Sequence, residues 1–162
     1  MAIDNTDMGA PEYLESSEEP KGNIQFFSEE IDFELDSNQS SRLVEWIDDT
    51  LAHEGFVLDE ISYIFCSDGY LLGINQEYLQ HDTFTDIITF PYHESGQRVS
   101  GDIYISIERV RENASELEIE FEIELRRVII HGVLHMMGYV DGTDADKAFM
   151  RQKEDFYLAR FR

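Results

Sequence analysis

Residues 116–137 read ELEIEFEIELRRVIIHGVLHMM, and no other stretch constrains the fold so strongly. The first half alternates between acidic and apolar residues, which is the period of a half-buried strand. Leu117, Phe121, Leu125 and Val128 nevertheless recur at helical spacing, and the segment runs without a break into an apolar second half. Glutamate also favours helix over strand. The sequence therefore predicts one long helix that ends at Gly138, a residue that readily takes the left-handed conformation closing a helix. So apolar a helix must pack against something.

The rest of the chain supplies the partners. Residues 24–34 (IQFFSEEIDFE) read as one strand or a short hairpin. SNQSSRLVEWIDDTLAHEG follows, with Ser and Asn as start signals and Gly55 as a stop, and predicts a helix. ISYIFCS at 61–67 is β-branched and aromatic, as a buried strand is. A helix from Asp68 to about Tyr78 comes next. TDIITFPY (85–92) and VSGDIYIS (99–106) flank the turn HESGQ and predict a hairpin. A last helix runs from about Asp144 to Phe161. The expected architecture is α+β: a single domain with a small mixed sheet, a long helix carrying a candidate metal site, and several packing helices.

Composition bounds the rest. A chain of 162 residues is the usual size of one domain. The first twenty residues carry Asp4, Asp7, Glu12, Glu15, Glu18 and Glu19 with no Lys or Arg, so residues 1–22 read as a solvated acidic tail before a domain at 23–162. That stretch resembles neither a signal nor a transit peptide. No apolar run approaches the ~18 residues of a membrane span. The single cysteine, Cys66, lies in an apolar run and reads as a buried thiol. A cytoplasmic protein with no membrane partner is expected.

The formal charge of -23 argues against a protein that coats nucleic acid. It leaves room for a local basic patch. Lys147, Arg151, Lys153, Arg160 and Arg162 crowd the C-terminus, and Arg126 and Arg127 precede His131. Such charges serve equally to balance acidic neighbours.

Chemistry concentrates in HGVLHMMGYVDG, residues 131–142. On a helix, His131 and His135 share one face a turn apart and can aim two imidazoles at one ion. Gly138 reverses the chain, which places Asp141 to supply a third ligand. Three protein ligands leave a fourth position for water, the catalytic arrangement of zinc. Histidines four apart are weak evidence alone, since packed or solvated imidazoles share the spacing. The apolar helix, the glycine stop and the following acid are the context that favours a metal. Peptidases of the HExxH type need a glutamate after the first histidine to take the proton from the metal-bound water. Gly132 stands there instead, which disfavours peptide hydrolysis. A glycine inside a helix further suggests close approach by another backbone or by substrate.

HGVLHMMGY, TDIITFP (85–91) and GDIYIS (101–106), with INQEYLQHDTFTD (74–86), resemble the YbeY family of bacterial rRNA-maturation endoribonucleases over roughly residues 60–162. The resemblance implies an α+β fold and a zinc-type site on the long helix. It also implies cleavage of single-stranded RNA in rRNA maturation and ribosome quality control, with a ribosomal subunit as partner. Two positions depart from the family pattern. Asp141 replaces a third histidine, and a 2-His-1-carboxylate set suits Fe(II) as well as Zn²⁺. Leu79 replaces an arginine thought to serve cleavage, with His81 close by as a substitute. Arg126, Arg127 and His81 are thus the candidate RNA-binding residues, and His131, His135 and Asp141 the candidate ligands of one divalent metal, Zn²⁺ first. No catalytic residue beyond the metal site is assigned. Two alternatives stand beside the endoribonuclease: a non-catalytic ribosome-assembly factor with a structural metal, and a metallohydrolase of another substrate class. Thr85, Asp86 and Asp102 read as structural residues at strand starts.

Overall fold

The computed structural model describes residues 22–80, 84–93 and 96–162. The acidic stretch expected as a tail lies outside these residues, Gly22 excepted, and so does His81.

Four strands form one sheet in the order β1-β2-β4-β3. Strand β1 (Asn23–Glu29) pairs parallel with β2 (Val57–Cys66), and β2 pairs parallel with β4 (Arg98–Ser106). Strand β3 (Ile87–Pro91) returns antiparallel on β4, with Ile87 opposite Ile105 and Pro91 opposite Gly101. The expected hairpin is therefore the antiparallel edge of a mixed sheet.

Helix α1 (Ser37–His53) joins β1 to β2. Its start is a capping box on Asp36, whose side chain accepts from Gln39 N at 2.8 Å while Gln39 Oε1 accepts from Asp36 N at 3.0 Å. Helix α2 (Asp68–Leu79) covers the opposite face of the sheet, where Leu71 and Ile74 join Cys66 and Ile88 in a small second cluster. The main core lies on the other face. There Ile61, Tyr63, Phe65, Ile103 and Ile105 of the sheet meet α1 and the C-terminal helices.

One expectation is corrected. The helix read as continuous through residues 116–137 is two helices, α3 (Ile107–Leu117) and α4 (Phe121–Met136). Glu118 breaks them apart in the left-handed conformation, φ 56°. The break lets α3 bury Ile107, Val110 and Ala114 while α4 buries a separate stripe from Leu125 to Met136. The fold ends with α5 (Asp144–Leu158), capped by Thr143 and packed on α4 through Met150, Glu154 and Tyr157. Among the described residues no helix is long and apolar enough to cross a membrane.

Gly132 gains a physical reason here. A Cβ built on it would lie 2.9 Å from Ile87 Cδ1 and 3.0 Å from Ile103 Cγ2. The glycine lets α4 press directly on β3 and β4, and this contact fixes the height of the histidines above the sheet.

Candidate metal centre

His131 and His135 project from the last two turns of α4 with ring centroids 4.6 Å apart. Gly138, at φ 104°, reverses the chain after the helix, and Tyr139 N bonds Leu134 O at 3.1 Å to close the turn. The reversal returns Asp141 to the histidines. Its Oδ2 lies 3.4 Å from His131 Nε2 and 3.4 Å from His135 Nε2. One ligand atom from each of the three residues falls within 4.8 Å of the other two.

The donor set and its spacing suit a small divalent ion. Ligands held about 2.0–2.1 Å from a tetrahedral ion lie about 3.3–3.4 Å from one another, the carboxylate-to-imidazole separation seen here. The second ring nitrogen of His131 is also committed. Its Nδ1 lies 2.6 Å from Glu154 Oε2, so the imidazole donates N–H to the carboxylate and leaves the Nε2 lone pair facing Asp141. Glu154 is 4% exposed, and Arg127 Nη1 holds its other oxygen at 3.2 Å. Burial opposes a charge on His131, but the Glu154 bond and the nearby Asp141 and Asp86 outweigh it and raise its pKa.

A cavity of about 320 Å³ opens beside His131 and Asp141. Ile87, Val128 and Met150 form its apolar wall, and Asp86, Glu124, Lys147 and Arg151 bring charge to it. Burial pushes the Asp86 carboxyl up, partly offset by His131. Burial likewise raises Glu124, whose Oε1 has no hydrogen-bond partner among the described residues and lies 3.9 Å from Arg127 Nε.

The candidate RNA contacts separate in space. Arg127 lines the cavity but is engaged by Glu124, Glu154 and Asp155. Arg126 turns the other way, its guanidinium 4.3 Å from the centre of the Phe161 ring, and is not among the residues lining the cavity. Leu79 sits at the end of α2 beside a second hollow bounded by Asn75, Phe84 and Thr85. Asp102 accepts from Tyr92 Oη at 2.6 Å and lies outside the metal-site cavity.

Glu154 was missed in the sequence because it comes from a different helix. A signal for it existed. It stands between Met150 and Tyr157 at helical spacing, an acid inside the stripe that α5 buries.

An α+β protein with two histidines on one helix and a carboxylate on the turn that follows it is thereby defined. The family described as Endoribonuclease YbeY matches residues 23–162. A curated Endoribonuclease YbeY of Flavobacterium psychrophilum is 53% identical over 135 residues, covering 83% of this chain and 94% of the relative. That of Christiangramia forsetii is 49% identical over 141 residues, covering 87% and 96%. The solution structure of TM1509 from Thermotoga maritima superposes with a TM-score of 0.62 at 29% identity, covering 86% of this chain and 89% of that one. The chain belongs to the YbeY endoribonuclease family.

Proposed function

We propose that this protein is a metal-dependent endoribonuclease that cuts single-stranded RNA during rRNA maturation and ribosome quality control, working on the ribosomal subunit in the cytoplasm. The catalytic unit is residues 23–162. His131, His135 and Asp141 hold one divalent metal, Zn²⁺ first. The observation that carries the reading is Asp141 Oδ2 lying 3.4 Å from both His131 Nε2 and His135 Nε2, with buried Glu154 bonded to the far nitrogen of His131.

A metal bound there supplies a Lewis acid for a phosphoryl oxygen and lowers the pKa of bound water. The chain's own residues do the rest. Glu154 fixes the His131 ring and its tautomer. Lys147 and Arg151 stand exposed on the cavity rim, where they meet phosphate oxygens. Asp86, on the cavity wall with its pKa raised by burial, is the carboxyl placed to hold or release a proton there. RNA brings its own charged phosphates, so the reaction tolerates the absent glutamate better than peptide hydrolysis does.

Elemental analysis should find about one equivalent of metal, and EDTA should abolish cleavage of single-stranded RNA. His135→Ala should lower metal content severalfold; full stoichiometry in that variant would place the site elsewhere. Asp141→Ala should lose cleavage while keeping the fold and RNA binding. Leu79, where the family carries arginine, favours the assembly-factor reading. That reading takes over if the metal-loaded protein binds RNA and cuts none.

A further inference from the structure

The least supported part of the metal centre is the segment that carries Asp141. The Asp141 side chain is 43% exposed, and its only polar contacts among the described residues are the two histidines. Among those residues no backbone hydrogen bond holds Val140, Asp141 or Gly142. The segment is fixed only at its ends. Thr143 is tied down by its capping box with Asp146. Tyr139, at the other end, reaches away from the site to a carboxylate at the end of a distant helix.

That carboxylate is Glu54, which directly follows α1. Tyr139 Oη donates to Glu54 Oε1 at 2.5 Å. Lys153 Nζ donates to Oε2 at 2.9 Å, and Tyr157 Oη donates to the same oxygen. The Glu54 side chain is 8% exposed. Burial alone would raise its pKa, but Lys153, Tyr139 and Tyr157 outweigh burial and hold it below the usual carboxylate range. Lys153 also lies 5.0 Å from the centre of the Tyr139 ring, and the Phe149 ring packs on Tyr139 at 5.8 Å. The phenol is thus gripped at its hydroxyl and along its ring.

We propose that Glu54 is a positioning residue for the metal centre, acting through Tyr139 to set the segment that presents Asp141. This rests on the assignment of His131, His135 and Asp141 as ligands. Without the anchor, Asp141 would sample positions off the histidine pair, and the metal would be held by two ligands part of the time. Outer partners that orient a ligand are worth about 10–100-fold in metal affinity.

The same carboxylate provides the control. Tyr139 and Tyr157 both donate to Glu54, but only Tyr139 is chained to the ligand segment, while Tyr157 lies on α5 and also meets His53 Nδ1 at 2.9 Å. Tyr139→Phe and Tyr157→Phe each delete one hydroxyl and leave the ring. Zinc affinity would be measured by chelator competition on the full-length wild type and both variants, beside thermal melting of each protein without metal. The expected result is about tenfold weaker zinc binding in Tyr139→Phe, near wild-type binding in Tyr157→Phe, and a lower Tm without metal for both. Glu54→Gln should weaken zinc binding in the same direction as Tyr139→Phe. Equal zinc affinity in Tyr139→Phe and wild type overturns the inference, as does equal weakening in the two Tyr→Phe variants, which marks Glu54 as structural only. A wild type that takes up no zinc sinks the ligand assignment itself, and the positioning role with it.

Discussion

Gly132 shows at a single atom which chemistry this scaffold disfavours. The position after the first histidine is where a peptidase keeps its base, yet even a Cβ there comes within 3.0 Å of Ile103, which is fully buried. The glycine is a packing requirement before it is a catalytic one. Gly132→Ala adds one methyl, an overpacking cost of about 1–3 kcal/mol set against about 1 kcal/mol gained in helix propensity. A folded protein with a small net loss is expected. Gly132→Glu restores the peptidase pattern on paper but drives an unpaired carboxylate between α4 and the sheet, where isolated charge is far more costly. That variant should fail to fold, as circular dichroism would reveal. A well-folded Gly132→Glu protein that binds metal would mean that α4 can lift off β3 and β4.

At the scale of elements, the sequence made most of the fold legible through period and punctuation. Strands β2, β3 and β4 follow β-branched runs, and α1, α2 and α5 begin near polar caps. The break between α3 and α4 was hidden because apolar spacing continues through it without glycine or proline. Only packing explains it, since α3 and α4 bury stripes that one straight helix could not present together. Glu118 accepts a left-handed backbone as the cost of that break, about 1–2 kcal/mol for a residue with a side chain. Glycine relieves it but loses about 0.5–1 kcal/mol of chain entropy. Glu118→Gly should therefore be as stable as wild type, or up to about 1 kcal/mol more stable, by chemical denaturation. In an uninterrupted helix the same change costs about 1 kcal/mol, so a loss of that size would restore the continuous helix. The site was legible to the same degree. Local spacing revealed the histidines and the turn to Asp141. Glu154 and Glu54 were not legible, because each reaches the site only through contacts between helices far apart in sequence.

For the molecule as a whole, the open problem is how a chain of net charge -23 holds RNA. Long-range attraction is absent, so binding must rest on a few cations beside the candidate metal site, and the fold sorts the arginines by what already occupies them. Arg127 is taken up by Glu124, Glu154 and Asp155 behind His131, so Arg127→Gln should lower thermal stability and loosen the candidate metal centre. Arg126 is stacked on Phe161, away from the cavity. Arg126→Gln should leave RNA affinity as it was. Arg151 has a side chain 57% exposed on the cavity rim, with a carboxylate contact only at 3.9 Å, and Lys147 stands exposed beside it. Among the described residues nothing keeps these two from exchanging water for phosphate. Arg151→Gln and Lys147→Gln should each weaken binding to single-stranded RNA across sequences and flatten its salt dependence by about one phosphate contact. Metal content and Tm should stay unchanged in both. Affinity measured at two salt concentrations on an Asp141→Ala background, expected to be inactive, separates binding from cleavage. Should Arg126→Gln flatten the salt dependence while Arg151→Gln and Lys147→Gln do not, the RNA path runs over the Phe161 side of the molecule instead of the metal-site cavity.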